Sequence, residues 1–153
     1  MTQEEKDIFF MSEALAEAYT AAEADEVPVG AVLVFEDTVI ARGRNTREAE
    51  RCATCHAELS AIRDACRYRH GWRLPDTTLY VTLEPCPMCT GAIINARIPR
   101  VVFGASDPKG GAMGGVLNLL DYPFNHHPEV KSGVLSEECR QILTAYFKNK
   151  RAK

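Results

Sequence analysis

The chain has 153 residues, of which 46% are hydrophobic and 25% are charged, and its formal net charge is -3. A chain of this length fits one domain that buries roughly two thirds of its unfolded surface, and the balanced composition excludes a disordered or low-complexity protein. No stretch approaches the roughly 18 consecutive apolar residues that span a membrane, and the N-terminus lacks the basic and apolar regions of a signal peptide. We therefore expect a single domain over residues 1–153, located in the cytoplasm.

Charged residues are unevenly distributed along the chain. Residues 1–26 contain eight acidic residues and one lysine, whereas residues 148–153 contain four cations. A basic helix end at about 148–153 could contact phosphate groups. Cations at a helix C-terminus also complement the helix dipole, and charge alone favours this second interpretation.

The first predicted elements are a helix and a pair of strands. Thr2 and Glu5 fit a capping box, and apolar residues recur at helical spacing up to about Ala24. The next run, VPVGAVLVFEDTVIARG, is apolar apart from Glu36 and Asp37 near its middle. This pattern predicts two antiparallel strands joined by a short turn, the first of them buried on both faces.

Helices and strands are predicted to alternate over the rest of the chain. A helix over about 55–69, with Cys66 on its apolar face, is followed by the strand TTLYVTL, a helix that begins at Pro87 and the strand RVVFGA. After the glycine-rich loop SDPKGGAMGG, Ser136 is expected to cap a last helix. The alternation indicates an α/β layered domain. The apolar face of the last helix comprises Cys139, Ile142, Leu143, Tyr146 and Phe147.

The segment RCATCHAE, residues 51–58, is compatible with two chemistries. Cys52, Cys55 and His56 have the spacing that attaches a c-type haem, whereas His56 and Glu58 form a His-x-Glu pair. Haem attachment normally follows export, for which the chain shows no signal. In a reducing compartment, cysteines are more often metal ligands, catalytic groups or small buried hydrophobes than disulfides. We therefore expect no haem.

A second cysteine pair lies in the segment TLEPCPMCTGA. Cys86 and Cys89 are three residues apart at a predicted helix start, so both sulfur atoms can bind one metal ion. The positive end of the helix dipole favours their thiolate forms. The pair therefore predicts half of a zinc site.

The residues that complete this site decide its chemistry. Cys52 and Cys55 would close a structural site of four thiolates, as in a zinc-stapled RNA-binding module. The 30 residues between Cys55 and Cys86 argue against that arrangement. His56 would instead leave zinc one open position for water, with Glu58 near enough to move a proton.

The sequences HAE at residues 56–58 and PCPMC at residues 85–89 resemble the His-x-Glu and Pro-Cys-x-x-Cys pattern of the cytidine deaminase superfamily. Within it, the segments DEVPVGAVLV, LYVTLEPCPMC and RVVFGASDPKGGA are most similar to the bacterial tRNA-specific adenosine deaminases. This resemblance covers nearly the whole chain. It implies a three-layer α/β/α cytidine deaminase-like fold with a five-stranded mixed sheet, a homodimer and one zinc ion per subunit.

The resemblance also implies a reaction, the hydrolytic deamination of adenosine to inosine at the wobble position of a tRNA anticodon. The attacking group is expected to be a zinc-bound hydroxide, with Glu58 as the proton shuttle. The implied metal ligands are His56, Cys86 and Cys89. The expected partner is the anticodon stem-loop, in which an unpaired base is easily splayed from the stack.

Four further residues are assigned to the substrate by family position. Asn45 is expected to meet the flipped nucleoside, and Asp107, Lys109 and Phe147 are expected to contact the anticodon loop. Each also has a purely structural interpretation. Asn45 could shape a turn. Asp107 and Lys109 lie in a segment whose composition is typical of a loop without a binding role. Phe147 lies on the apolar face of its helix.

Two questions stay open at this point. A deaminase of a free nucleobase or nucleoside, of the guanine or cytidine type, would share the zinc core.

The related deaminases usually carry a small apolar residue where this chain has Cys55. A redox pair with Cys52 is possible, but a small buried hydrophobe at Cys55 is favoured. Cys66 and Cys139 are assigned to the core without a chemical role.

Overall fold

The structure, a computed structural model, describes residues 1–152, so Lys153 of the predicted basic end lies outside the described residues. Within residues 1–152 no helix combines the length and the apolarity needed to cross a membrane. Five helices and five strands follow one another along residues 1–152, and a short 3-10 helix (Leu119–Asp121) precedes the last strand. The elements in chain order are α1 (Gln3–Glu23), β1 (Gly30–Phe35), β2 (Thr38–Arg44), α2 (Arg47–Glu50), α3 (Ala57–Arg69), β3 (Thr77–Leu83), α4 (Pro87–Ala96), β4 (Arg100–Ala105), β5 (Glu129–Ser132) and α5 (Ser136–Ala152).

The strands form one mixed sheet in the order β2-β1-β3-β4-β5. Strand β1 is antiparallel to β2 and β3, whereas β4 is parallel to β3 and β5. Helix α4 makes the crossover between the parallel strands β3 and β4. Because parallel strands end at the same edge of a sheet, the segments that follow β3 and β4 lie side by side.

Helices cover both faces of the sheet. Along β1, Leu33 packs into the core beneath α3 and α4, and the next residue, Val34, packs into the core beneath α1 and α5, because successive strand residues face opposite sides. Cys139 is fully buried in the α1/α5 core, and Cys66 packs against the other core. The predicted three-layer fold with a five-stranded mixed sheet is therefore confirmed.

The observed elements differ from the predicted ones in four places. The helix predicted from residue 55 begins at Ala57, because His56 has extended backbone angles and is its N-cap. Ser136 is the first residue of α5 and does not cap it. The loop after β2 contains the one-turn helix α2, and β5 is an edge strand of four residues that the residue pattern alone did not predict.

A buried carboxylate joins α1 to three strands of the sheet. Asp7 is 0% exposed and accepts two hydrogen bonds from Arg100, both at 2.8 Å. It also accepts hydrogen bonds from the Tyr80 hydroxyl at 2.7 Å and from the Lys131 ammonium at 3.1 Å. Burial opposes ionisation of Asp7, but these donors outweigh it and hold the pKa of the carboxyl well below its usual range.

We expect Asp7→Asn to lower the free energy of unfolding by about 3 kcal/mol at neutral pH, because it leaves a largely buried guanidinium without its partner. The folded-state pKa is depressed, so this stabilisation exists above the unfolded-state pKa and is lost as the pH falls through the folded-state value. Urea unfolding should show the two proteins converging below about pH 5. A difference that stays constant with pH would contradict the role, and Asp37→Asn, at an exposed ion pair with Lys6, is the control.

Candidate active site

Three metal-binding side chains meet where α3 and α4 begin. His56 is the N-cap of α3, Cys86 is the N-cap of α4, and Cys89 lies in the first turn of α4. Their ligand atoms all lie within 4.8 Å of one another. The Nδ1 atom of His56 is 3.6 Å from each of the two sulfur atoms. The structure thus brings together the three residues that the sequence predicted as ligands.

The spacing of these atoms fits a zinc ion. Zinc binds imidazole nitrogen at roughly 2.0–2.1 Å and thiolate sulfur at roughly 2.3 Å with tetrahedral angles, which places nitrogen and sulfur about 3.6 Å apart. The two nitrogen-to-sulfur distances have this value. Three protein ligands leave the fourth tetrahedral position free for water, as in catalytic zinc sites.

The three ligand side chains of the cluster differ in how readily they lose a proton. A hydrogen bond from the Cys89 thiol, with a further contribution from His56, lowers the pKa of Cys86 to about 4. The same hydrogen bond, together with burial, raises the pKa of Cys89. The hydrogen bond to Cys86 raises the pKa of His56. Of the two sulfur groups, Cys86 is thus held in the thiolate form that binds metals, whereas Cys89 and His56, whose pKa values are raised, must bind an ion in their deprotonated forms.

A buried carboxyl group lies beside the cluster. Glu58 is in the first turn of α3, two residues from His56, and is 4% exposed. Burial raises the pKa of Glu58 to about 7, and the neighbouring Cys86 thiolate adds to the shift. A carboxyl group with such a pKa can both accept and release a proton near neutral pH.

His56, Cys86 and Glu58 line a small pocket that adjoins a larger groove. The pocket has a volume of about 170 Å³ and the groove about 720 Å³. Four residues line both, and they mark the passage between them: Val27, Arg47, Leu83 and Asp107.

Asn45 lines the pocket and also supports α3. Its Oδ1 atom accepts a hydrogen bond of 2.9 Å from the backbone N–H of Ala57, the first residue of the helix. The amide nitrogen of Asn45 is then the group that can donate to a bound molecule. The structural and the substrate-facing interpretations of this residue are therefore compatible.

The other three predicted substrate residues line the groove. Asp107 is half-buried and its carboxylate accepts hydrogen bonds from the backbone N–H groups of Lys109 at 3.0 Å and Gly110 at 3.1 Å. The Lys109 side chain is exposed. Phe147 is 43% exposed and lines the groove, so the apolar helix face that carries it does not bury this ring in the core.

Two further cations line the groove: Arg47 was not singled out in the sequence, whereas Arg151 belongs to the predicted basic helix end. Arg47 lines both the pocket and the groove, and Arg151 lines the groove. Of the basic helix end, Lys150 is paired with Asp25 at 3.1 Å, so this cation complements an acidic residue next to α1. Arg47 follows Asn45 by two residues in a polar segment, and nothing in that pattern marks it as a site residue.

Cys52 and Cys55 lie outside the ligand cluster. They share a turn in which the N–H of Cys55 donates to the carbonyl of Cys52 at 3.2 Å. Cys55 is partly exposed at the surface of this turn, so the prediction of a buried small hydrophobe is wrong. A hydrogen bond with Glu50 raises the pKa of Cys55 to about 11, which keeps this thiol protonated. The closed site of four thiolates is not formed.

The chain matches the cytidine and deoxycytidylate deaminase zinc-binding region over residues 4–105. It is 53% identical over 154 residues to the tRNA-specific adenosine deaminase of Bacillus subtilis, covering all of this chain and 94% of that protein. A solved structure from work on A-to-I editing by tRNA:A34 deaminases at the wobble position has a TM-score of 0.84 and 48% identity, over 88% of this chain and 99% of that one.

A guanine deaminase from Bacillus subtilis is also similar, with a TM-score of 0.63 and 38% identity, over 69% of this chain and 66% of that one. The similarity to the tRNA-specific enzymes thus covers more of the chain and is higher in both identity and fold agreement. The chain belongs to the cytidine and deoxycytidylate deaminase zinc-binding family, and within it to the tRNA-specific adenosine deaminases.

Proposed function

We propose that this protein converts adenosine to inosine at the wobble position of a tRNA anticodon, releasing ammonia and consuming one water molecule. The observation that carries the proposal is the position of Glu58 and of two of the metal-binding side chains, His56 and Cys86, in a small pocket that adjoins a larger groove. The pocket holds groups for hydrolysis, and the groove has space for the rest of a large substrate.

The chemistry is divided between a metal ion and one carboxylate. His56, Cys86 and Cys89 would hold a zinc ion, which would supply the Lewis acid that lowers the pKa of water to near neutral pH. Glu58 accepts the proton that the water loses. It then delivers protons to N1 of the adenine and to the amino group that leaves C6, so that adenosine and water become inosine and ammonia.

The size of the pocket limits what can enter it. A volume of about 170 Å³ is below the roughly 300–1,000 Å³ of pockets that enclose a drug-sized ligand. A base splayed from a single-stranded loop can enter with its amino group towards the metal, while its neighbours stay outside. The pocket therefore suits one base of a polynucleotide, and Asn45 can donate a hydrogen bond to it.

The groove supplies groups that bind RNA. Lys109, Arg47 and Arg151 can contact phosphates, and the exposed ring of Phe147 can stack on an unpaired base. Asp107 lines both the groove and the pocket, where its carboxylate can accept a hydrogen bond from a ribose hydroxyl. We assign these residues to the anticodon loop.

The assembly and location of the enzyme are also part of the proposal. We infer one domain over residues 1–153, because a single sheet underlies both cores. We infer a homodimer in the cytoplasm. Large apolar side chains such as Trp72, 55% exposed, are available to bury between two copies, and six free cysteines suit a reducing compartment. Light scattering after size-exclusion chromatography tests the dimer.

A substrate comparison tests the proposed function. Zinc-loaded protein is incubated separately with an anticodon stem-loop that carries adenosine at the wobble position, free adenosine, guanine and cytidine. Ammonia release is measured in each, and the RNA is digested and analysed for inosine by mass spectrometry. We expect inosine and ammonia from the stem-loop alone.

The control RNA carries guanosine at the wobble position and is expected to release no ammonia. Faster turnover of guanine or cytidine than of the stem-loop would overturn the proposal in favour of a free-base or nucleoside deaminase. Zinc binding without turnover of any substrate would favour a non-enzymatic RNA-binding module.

A further inference from the structure

Glu84, the residue after β3 and two before Cys86, has an unusual set of partners. Its side chain is 3% exposed. Its Oε1 atom accepts a hydrogen bond from the N–H of Asp107 at 2.9 Å. Its Oε2 atom accepts from the N–H groups of Met113 at 2.9 Å and Gly115 at 2.8 Å. One carboxylate therefore holds both ends of the segment 107–115, which follows the neighbouring strand β4.

The segment 107–115 is shaped around this carboxylate. A Cβ atom at Gly111 would overlap the carboxylate of Glu84, and one at Gly115 would overlap the carbonyl of Asp107. Both positions therefore require glycine for close approach. No ion pair within residues 1–152 includes Glu84. Its charge is compensated by backbone N–H groups, which makes these hydrogen bonds strong.

Glu26 makes the same kind of contact with a second segment. It is 2% exposed, and its two oxygen atoms accept hydrogen bonds from the N–H groups of Glu48 at 2.9 Å and Ala49 at 2.7 Å. This side chain also belongs to no ion pair in the described part of the chain. It fixes the start of α2, where Arg47 is located.

The two segments carry charged groups of the groove. Arg47 comes from the segment held by Glu26, whereas Asp107 and Lys109 come from the segment held by Glu84. Arg47 and Asp107 also line the pocket. Burying a carboxylate costs hydration free energy. In both cases the buried carboxylate binds backbone N–H groups next to a residue that is proposed to contact RNA.

We propose that Glu84 and Glu26 are positioning residues for RNA recognition: they hold the two charged segments of the groove in the binding geometry before RNA arrives. This inference rests on the proposed function. Holding the segments in advance removes the entropy cost of ordering them during binding. Loss of either contact is expected to weaken RNA binding and to leave the metal cluster intact.

Glutamine is the informative substitution. It keeps the size of the side chain but replaces one oxygen atom with an NH₂ group. In Glu84→Gln the NH₂ group must face either the N–H of Asp107 or the two N–H groups of Met113 and Gly115, so at least one hydrogen bond is replaced by two opposed donors. Glu26→Gln has the same effect on one of its two contacts.

Binding is measured without turnover. Each substitution is made in zinc-loaded Glu58→Ala protein, and the affinity for a fluorescently labelled anticodon stem-loop is determined at low temperature. We expect the dissociation constant to rise about tenfold for either substitution, with zinc content unchanged. Glu23→Gln, an exposed acid at the end of α1, is the matched control and should bind like the parent.

Amide hydrogen exchange separates positioning from a general loss of stability. In Glu84→Gln we expect faster exchange at residues 107, 113 and 115, and in Glu26→Gln at residues 48 and 49, with the cores protected in both. A lower melting temperature with unchanged RNA affinity would overturn the proposal, since the contacts would then be merely structural. Loss of zinc together with RNA affinity would also overturn it, because the role would be support of the metal.

A second variant covers the case in which Glu84→Gln does not fold. Gly111→Ala keeps the carboxylate but crowds it, and it should weaken RNA binding in the same way. Gly71→Ala, where an added Cβ has nothing within 4 Å, is its control.

If the parent, zinc-loaded Glu58→Ala protein, fails to bind the stem-loop, the proposed function is wrong and the positioning role with it. If the parent binds and the variants bind equally well, the positioning role alone is wrong.

Discussion

Glu58→Ala should lower turnover of the anticodon stem-loop by at least about a hundredfold, since general acid-base groups contribute roughly 10²- to 10⁴-fold. The substitution removes the group that accepts and returns the proton, but it leaves the three metal ligands in place. Zinc content, measured by mass spectrometry of the metal, should stay at one ion per chain. The melting temperature should change little, because a buried carboxyl group is replaced by a residue that favours the helix.

The matched control for this prediction is Glu137→Ala. Glu137 is also an acid in the first turn of a helix, and it is exposed. If Glu58 acted only through the dipole of α3, both substitutions would cost at most about 1 kcal/mol of stability and leave turnover unchanged. Glu58→Ala protein that retained more than a tenth of the parent rate would contradict the proton-shuttle role.

His56→Ala should abolish both zinc binding and turnover. Loss of a side chain that merely orients a ligand lowers metal affinity roughly 10- to 100-fold, so loss of the ligand itself is expected to cost at least that much. The protein is dialysed against a weak chelator, and its zinc content and inosine formation are then measured. The fold should persist in part, since the two cores of the sheet do not depend on this residue.

Cys52→Ser combined with Cys55→Ser is the control for the ligand assignment. Both thiols lie outside the cluster, so the double variant should keep its zinc and its turnover. Full zinc occupancy in His56→Ala protein, or loss of zinc in the double variant, would show that the ligands have been assigned wrongly.

The parts of the fold that the sequence predicts well are those specified by local contacts. The Thr2 side chain accepts from the N–H of Glu5 at 3.1 Å, as the capping-box pattern requires. Strands β3 and β4 occupy the predicted segments, because each is rich in the β-branched and aromatic residues that favour strands and lies inside the sheet, not at its edge. Strand β5 has only four residues at the edge of the sheet and gives no such signal.

The metal ligands are predictable for a similar reason. Zinc requires particular atoms, and helix starts bring Cys86 and Cys89 together at a spacing visible in the sequence. Cys55 was placed wrongly because residue type does not show which surfaces the rest of the chain covers, and helix periodicity likewise does not reveal that Phe147 is exposed. Their exposure depends on tertiary structure.

Glu84 and Glu26 could not have been found from the sequence. Each is one acid among 21, and its partners are backbone N–H groups, which every residue except proline carries. Their burial depends on the path of distant segments, and that path is visible only in three dimensions. The residues proposed to shape the groove are thus the least visible in the sequence, whereas the residues proposed for the chemistry are the most visible.

The parallel pairing of β3 and β4 has an evolutionary consequence. The segment after β3 carries two of the ligands, and the segment after β4 carries residues of the groove. Both segments lie at one edge of the sheet but belong to different parts of the sequence, so one can change without the other. Insertions or replacements after β4 can change which molecule fits while the ligands keep their places, because loops tolerate such changes far better than strands do. Modular construction of this kind gives a physical reason why one zinc-binding architecture serves deaminases named for cytidine, guanine and tRNA adenosine.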